Sequence, residues 1–172
     1  NQKQLISKLK QAILKEAIQG KLTQDWRDQN PNTEPASKLL ERIKKEKEQL
    51  IKVKKIKEGK TLPSITEEEI PFEIPENWSW CRLGELIHIS SGDGLTSKEM
   101  INGEFPVFGG NGITGYHNAY NSDERIVTIG RVGAYCGAVH LTPKFSWITD
   151  NCFKVFFDNN CIYLKYLIWF LK

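Results

Sequence analysis

The stretch from Phe105 to Asn151 constrains the fold most, because glycines and turn-forming residues break it into short apolar runs. It reads FPVFGGNGITGYHNAY, then RIVTIGRVGAYCGAVHL and then FSWITDN. Runs of about four to seven β-branched and aromatic residues between turn signals are typical of strands, and the glycines mark turns, bulges or close backbone approaches. The stretch therefore predicts a compact, loop-rich β unit.

A glycine string inside this stretch matches the pattern of a dinucleotide site. Gly110 to Gly115 spell G-x-G-x-x-G, and such a site requires a helix directly afterwards and an acidic residue about 20 positions later. Residues 116–123 are instead rich in turn formers, and Asp123 and Glu124 come too early. We therefore predict a glycine turn between two strands.

The N-terminal residues predict an amphipathic helix over residues 3–18, with Gly20 placed to end it in a left-handed conformation. Its apolar residues lie three or four positions apart, which is helical spacing. The stripe consists of Ile6, Leu9, Ile13 and Ala17. A stripe of this kind requires a covering partner, because helical stability in proteins comes mostly from packing the apolar face.

A polar loop at residues 23–33 and a second helix from Pro35 to about Lys57 are predicted next, with Pro35 at the first helical position. The apolar seam of this helix fails at Glu46; it consists of Leu39, Ile43, Leu50 and Val53. Two arrangements are open: a helical hairpin folded on the β unit, or a coiled-coil arm. A lysine run fits either a solvated face or a phosphate contact; it comprises Lys52, Lys54, Lys55, Lys57 and Lys60.

Charge and proline content divide the chain. Residues 1–60 carry 16 Lys and Arg against eight acids, whereas residues 61–172 carry eight against 13. Prolines stiffen the span 61–77, so we predict a helical region at 1–60, a linker at 61–77 and a β domain at 78–172 that ends in a helix. The predicted fold class is α+β: long amphipathic helices followed by a small mixed β domain.

Metal and membrane sites are not predicted. The four cysteines, at positions 81, 136, 152 and 161, form no C-x-x-C pair, so we expect no metal and predict buried free thiols in a reducing cytoplasm. The longest apolar run is too short to cross a bilayer. The sequence therefore predicts a soluble, cytoplasmic protein.

Several segments, taken in order, resemble one protein family. LKQAILKEAIQGKLT and PASKLLERIKKEKEQL precede EIPENWSWCRLGELI; FPVFGGNGITGYHNAY, IVTIGRVGAYCGAV, WITDNCFKV and CIYLKYLIWFL follow. They resemble a helical spacer and one target recognition domain of the DNA-specificity (S) subunit of type I restriction-modification enzymes. The resemblance covers nearly the whole chain. Because the chain ends inside its last predicted helix, the resemblance implies a truncated or split subunit.

The resemblance implies recognition of a DNA sequence and delivery of partner subunits to a bipartite site. Implied partners are double-stranded DNA, methyltransferase (M) subunits that bind S-adenosylmethionine and a restriction (R) subunit that uses ATP and Mg²⁺, with self-association through the helices. No cofactor and no catalytic residue are implied in this chain, and the sequence contains no methyltransferase N/D-P-P-Y/F string and no Walker lysine. The competing class is a non-catalytic protein–protein interaction module with a helical arm, which the acidic β third favours.

Residues in or beside the turns supply the groups that DNA recognition requires, namely donors and acceptors for base edges and cations or hydroxyls for phosphates. The DNA-binding candidates are Ser91, Thr96, Ser97, Lys98, Asn111, Thr114, Tyr116, His117, Arg131 and Tyr135. The resemblance also makes the stripe of Ile6, Leu9, Ile13 and Ala17 a docking surface for a partner subunit.

Two of these positions have structural alternatives. Arg131 interrupts an apolar run, and it fits either a reader of a guanine edge or an ion pair with Asp123 or Glu124. His117 is a lone histidine, which is typical of a hydrogen-bonded loop residue. Upstream, the alternation of Trp78 and Trp80 predicts two indoles on one face of a strand.

Overall fold

The computed structural model describes residues 2–54, 56 and 59–172. It forms two compact units, one ending at Glu85 and the other covering Leu86–Lys172. Helices build the first unit, and two small sheets with a terminal helix build the second. This is the predicted α+β class. Within the described residues, every helix is too short or too polar to cross a bilayer.

The first helix, α1, spans Gln2–Ile18, as its apolar spacing predicts. Gly20 follows with a φ of +74°, which confirms the left-handed ending, and a Cβ at this position would lie 2.5 Å from the Pro75 ring. No residue of α1 is buried. Within the apolar stripe of this helix, Ile6, Leu9 and Ile13 are exposed and Ala17 is half-buried.

A short helix, α2 (Gln24–Gln29), lies in the span predicted as a loop, so that prediction is wrong. It follows a 3₁₀ turn at Lys21–Thr23. The Arg27 guanidinium donates to the Gly20 carbonyl at 2.7 Å and to the Thr23 hydroxyl at 2.6 Å. These local hydrogen bonds fix the turn before the helix, which the polar composition of the span does not reveal.

The third helix, α3, spans Ala36–Lys52. Pro35 is the N-cap of this helix, with a ψ of 143°, and the first helical position that was predicted for it belongs to Ala36. The helix also ends five residues before the predicted Lys57, because Lys54 takes a left-handed φ of 57° that ends the α-helical path. Part of the lysine run, Lys55 and Lys57, lies outside the described residues.

The segment from Asn77 to Gly84 contacts α3 at both of its ends. The Asn77 carbonyl accepts the Ala36 N–H at 2.9 Å, and the Gly84 carbonyl accepts the Lys47 ammonium. Partial burial lowers the pKa of Lys47, and the charge of Glu85 opposes this shift. Lys47 therefore anchors this segment to α3 through a polar contact, four positions after the buried Ile43. The apolar seam of α3 did not predict this contact.

The two tryptophans of this segment do not lie on a strand, so that prediction is wrong. Trp80 contacts Phe72 edge-on, with ring centroids 5.1 Å apart. The Arg27 guanidinium lies 5.8 Å from the Trp78 ring centroid. Because the backbone of this segment bonds to α3 rather than to a neighbouring strand, the alternation of residues does not produce a sheet.

Arg82 fastens the proline-rich span to this unit. Its Nε donates to the Pro63 carbonyl at 3.1 Å and its Nη2 to the Ser64 carbonyl at 3.0 Å. The Glu69 carboxylate accepts Nη1 at 2.8 Å and Nη2 at 2.7 Å. Such a two-pronged arginine–carboxylate contact fixes geometry as well as charge. The hydrogen bond from Arg82, followed by that from the Thr66 N–H, lowers the pKa of Glu69 to about 2.

We expect Glu69→Gln to lower the melting temperature at neutral pH. A carboxyl with a depressed folded pKa stabilises the fold above its unfolded pKa of about 4.3 and stops doing so as pH falls through the folded value. The difference from wild type should therefore shrink between about pH 5 and about pH 2. Thermal unfolding followed by circular dichroism measures it. Glu68→Gln, in the same turn, is the control; an equal, pH-independent loss in both variants contradicts the role of the Arg82 pair.

Seven strands form two sheets in the second unit. They are β1 (Ile87–Ser91), β2 (Phe105–Gly109), β3 (Gly112–His117), β4 (Val127–Gly130), β5 (Val139–Leu141), β6 (Trp147–Ile148) and β7 (Cys152–Phe157). One sheet has the antiparallel order β1-β7-β4-β5. In the other, β2 pairs antiparallel with β3 and parallel with β6. The predicted glycine turn is confirmed, since it joins β2 to β3.

The core of this unit draws on both sheets. Its most buried apolar residues are Val107, Val127, Ile148, Cys152 and Val155. The last helices are α4 (Leu83–Leu86), at the border of the two units, and α5 (Leu164–Leu171), which contacts β5 and buries Leu167. Helix α5 confirms the predicted C-terminal helix.

The structural units differ from the predicted domain limits. The span 61–77 and the residues up to Glu85 belong to the helical unit, because the Arg82 and Lys47 contacts hold them there. The assignment of functional domains to 1–60, 61–77 and 78–172 stays a prediction.

Candidate nucleic-acid interface

Four connecting segments meet at one end of the second unit. Loop 92–98 joins the turn after β6, because Gly92 donates to the Cys152 carbonyl at 3.1 Å and Asp93 to the Ile148 carbonyl at 3.0 Å. The hairpin tip after β2 lies against the loop after β4, where a Cβ on Gly130 would be 2.3 Å from the Gly110 oxygen. We call residues 91–98, 109–112, 130–137 and 149–151 the loop edge.

A cleft of about 640 Å³ opens at this edge. Its walls come from the segment 94–100, the β2–β3 hairpin and the turn 149–151. Its lining is Gly94, Leu95, Thr96, Ser97, Glu99, Met100, Gly109, Thr114, Thr149, Asp150 and Asn151. Three predicted residues thus share one concave surface: Thr96, Ser97 and Thr114. The cleft combines hydroxyls, an amide and carboxylates with two apolar side chains.

The loop edge collects most of the predicted DNA-binding residues. Those within its four segments are Ser91, Thr96, Ser97, Lys98, Asn111, Arg131 and Tyr135, and all of them are exposed. Tyr116 is exposed as well, but it pairs with Pro106 toward the opposite end of the hairpin. The structure therefore brings together seven of the ten candidates at the edge, with Thr114 in the adjoining cleft.

His117 occupies a different place from the other candidates. It is buried, with 7% of its surface exposed. Its Nδ1 accepts the Ile101 N–H at 3.0 Å, and its ring contacts Trp147 at a centroid distance of 5.3 Å. Burial removes this side chain from the exposed surface, and His117 is a hydrogen-bonded residue, which is the structural alternative predicted from the sequence.

Thr96 is engaged in holding its own loop. Its N–H donates to the Glu99 carboxylate at 2.8 Å and its hydroxyl donates to the same oxygen at 2.7 Å. The N–H contact, followed by the hydroxyl contact, lowers the pKa of Glu99. Ser97 and Lys98, between them, lie at the exposed tip of the resulting turn. The turn thereby presents a hydroxyl and a cation to solvent.

Arg131 is held against the loop edge. Its Nη1 donates to the Ser91 hydroxyl at 3.2 Å and to the Asp150 carbonyl at 3.5 Å. Its guanidinium lies 5.6 Å from the Phe153 ring centroid. An ion pair with Asp123 or Glu124, the structural alternative, is absent from the described residues. Strand β4 lies between these acids and Arg131 in the chain.

A second polar cluster, missed from the sequence, supports loop 92–98. The Asp93 carboxylate accepts the Asn121 amide at 2.6 Å and lies 3.4 Å from the Lys154 ammonium. The Asn121 amide also pairs with both backbone groups of Ile148, at 2.8 Å each. These partners are up to 61 positions apart in sequence, so no local pattern could identify them.

The four cysteines form no disulfide within the described residues. Cys152 is buried, and desolvation, with a smaller contribution from Asp150, raises its pKa to about 11. Cys136 is exposed, contrary to the prediction of buried thiols, because it lies in the loop after β4. The described residues contain no group of three or more His, Cys, Asp or Glu side chains arranged for a metal ion.

The family model for the type I restriction modification DNA specificity domain matches residues 75–172. This span covers more than half of the chain and includes the entire loop edge. The chain belongs to this family. The cleft and the loop edge are therefore parts of a type I specificity domain.

Curated relatives of this specificity domain come from Escherichia coli. The EcoAI specificity subunit is 50% identical over 93 residues, which cover 54% of this chain and 15% of that protein. The EcoEI specificity subunit is 52% identical over 82 residues, or 48% of this chain and 13% of that protein. The matched region is therefore a small part of the length of these relatives.

Among solved structures, the type I restriction-modification S subunit from M. genitalium is similar to this specificity domain. The TM-score is 0.46 at 25% sequence identity, and the match covers 52% of this chain and 24% of that one.

Proposed function

We propose that the chain recognises a DNA sequence as part of a type I restriction-modification complex and directs partner subunits to a bipartite site. The loop edge is the observation that supports this function best. It gathers exposed hydroxyl, amide, ammonium and guanidinium groups on connections between strands. Surface groups of these types on a rigid frame suit contacts to base edges and phosphates.

The charge of the second unit bears on how such binding works. Residues 86–172 carry seven Lys and Arg against seven Asp and Glu. A neutral unit gains little from long-range attraction to DNA. We therefore propose that the affinity of the complex comes from partner subunits and the basic helical region, while the loop edge supplies discrimination. The competing role of a pure protein-interaction module does not account for the family match at residues 75–172.

Mapping the methylated sites identifies the target of the complex, and binding measurements then test the proposal. The assembled complex should prefer the mapped site over random DNA. Its affinity should fall steeply as salt rises, because phosphate contacts release counterions. Equal affinity for the mapped site and for random DNA at every salt concentration contradicts a role in sequence recognition.

We also propose that the chain itself is non-catalytic and acts in the cytoplasm with its partners. Methyltransferase subunits would bind S-adenosylmethionine, and a restriction subunit would use ATP and Mg²⁺. We expect the purified chain alone to transfer no labelled methyl group to DNA carrying the target and to leave that DNA uncut. Scintillation counting and gel analysis measure both, with the assembled complex as the positive control. Methyl transfer by the chain alone would falsify this proposal.

Helix α1 is the proposed docking surface for a methyltransferase subunit. The exposed fractions of Ile6, Leu9 and Ile13 are 55%, 61% and 47%. Exposed apolar side chains along one helix are typical of an interaction surface. Ala17 continues the same stripe. Self-association through this surface would compete with docking.

We expect the triple change Ile6→Ser, Leu9→Ser and Ile13→Ser to abolish co-purification with the methyltransferase subunit. The fold of the β unit should persist, because no α1 residue is buried in the chain. Affinity pull-down and thermal unfolding measure the two effects. Lys8→Ser and Lys10→Ser on the same helix provide the control. Removal of residues 1–20 should have the same effect, and normal co-purification of that truncated chain would overturn the docking role.

A further inference from the structure

We infer that Asp150 is a specificity-determining residue that accepts a hydrogen bond from the exocyclic amino group of a cytosine or an adenine in the major groove. This inference rests on the proposed function, and it adds a named reader and the chemistry of its target. Asp150 and Asn151 lie in the turn between β6 and β7.

The backbone around Asp150 is fixed on both sides. The buried Thr149 donates its N–H and its hydroxyl to the Phe108 carbonyl, at 3.0 and 2.9 Å. The Asn151 carbonyl accepts the Arg131 N–H at 2.8 Å, and Cys152 donates to the Thr149 carbonyl at 3.0 Å. These hydrogen bonds fix the turn, so the side chains of Asp150 and Asn151 are oriented without taking part in them. Preorganised groups lose little entropy when they bind.

The side chains of this turn are available for a ligand. Asp150 and Asn151 are both exposed and line the cleft. Neither side chain has a hydrogen bond or an ion pair within the described part of the chain. Asn121 is a contrast, because its amide is fully engaged with Asp93 and the backbone of Ile148. The Asn121 amide therefore has a structural role, whereas the side chains of Asp150 and Asn151 can bind a ligand.

The chemistry of a carboxylate selects the type of base edge. An ionised Asp side chain only accepts hydrogen bonds. In the major groove, the cytosine N4 and adenine N6 amino groups donate, whereas guanine and thymine present oxygen or nitrogen acceptors. A carboxylate therefore favours the amino-bearing bases and repels the other two.

A neighbouring cation makes an acid compatible with a DNA surface. The Arg131 guanidinium donates to the backbone carbonyl of Asp150 at 3.5 Å, so a positive charge lies at the same turn as the carboxylate. The exposed Lys98 is on loop 92–98, other residues of which line the same cleft. These cations offset the repulsion between the carboxylate and nearby phosphates.

The test uses the assembled methyltransferase complex with Asp150→Ala, competed against DNA with single-base changes in the mapped site. We expect discrimination at one amino-bearing position to fall about tenfold to hundredfold, with no change in melting temperature, because the Asp150 side chain is exposed. Asp123→Ala, at another exposed acid with no ion pair among the described residues, should leave discrimination unchanged.

Base analogues distinguish the two sources of the amino group. Replacing a cytosine by 2-pyrimidinone, or an adenine by purine, removes only that group. The wild-type complex should lose about tenfold or more in affinity at one such position, and the Asp150→Ala complex should be indifferent there. Full discrimination by Asp150→Ala at every position overturns this inference and leaves the proposed function intact. Absence of any site preference in the wild-type complex overturns both.

Discussion

Replacing Arg131 with alanine should lower the affinity of the assembled complex for its mapped site by about 1–3 kcal/mol and relax discrimination at one base position. The guanidinium is a planar fork that matches the two acceptors of a guanine edge. Ser91, the Asp150 carbonyl and the Phe153 ring fix its position at the loop edge. Competition binding against single-base variants, at two salt concentrations, measures the effect.

Two controls separate base reading from general charge effects. Arg125 and Arg131 lie at opposite ends of β4, and both are exposed. Arg125→Ala therefore removes the same charge away from the loop edge, and it should leave discrimination unchanged. Replacement of Lys54 and Lys55 should weaken mapped and random DNA alike and reduce the salt dependence, if these lysines contact phosphates. An Arg131→Ala complex with unchanged affinity and base preference would remove Arg131 from the proposed interface.

Gly92→Ala should destabilise the second unit by about 1–3 kcal/mol or more, because overpacking against fixed backbone forces the structure to shift. A Cβ at this position would lie 2.2 Å from the Thr149 oxygen and 2.4 Å from the Ile148 oxygen. Both oxygens belong to the region that anchors loop 92–98. The variant should therefore also lose site discrimination at temperatures where it remains folded. Chemical denaturation and competition binding measure these two effects.

Gly94 provides the matched control for this change. It lies two positions further along the same loop, and a Cβ there would meet nothing within 4 Å. Gly94→Ala should change stability by less than about 1 kcal/mol. Equal destabilisation by the two variants would contradict the close backbone approach at Gly92 as the cause, because the lower entropy of the unfolded chain by itself favours the folded Ala variants.

The elements that the sequence predicted correctly depend on local patterns. The spacing of Ile6, Leu9 and Ile13 is sufficient for α1, since helical periodicity is a property of neighbouring residues. Gly110 and Asn111 likewise predict the turn between β2 and β3, because turn residues act through their own backbone preferences. The family resemblance was also available from the order of the motifs, and the match to residues 75–172 supports it.

Other predictions failed where distant contacts override local preference. Trp78 and Trp80 alternate as strand residues do, but the backbone beside them bonds to α3 instead of a sheet. The residues at 23–33 read as a polar loop, but Arg27 bonds back to the preceding turn and α2 forms. His117 has a turn-like neighbourhood in the sequence, and its burial depends on Ile101 and Trp147, which are 16 and more positions away.

The sequence by itself determined the α+β class, α1, the glycine turn, the terminal helix and the residue types available for DNA recognition. Only the tertiary structure decided which of those residues share a surface. Asp150 comes to lie beside Arg131 because the loop after β4 bonds to the turn after β6. Such pairings join residues far apart in the chain, and periodicity and turn signals carry no information about them.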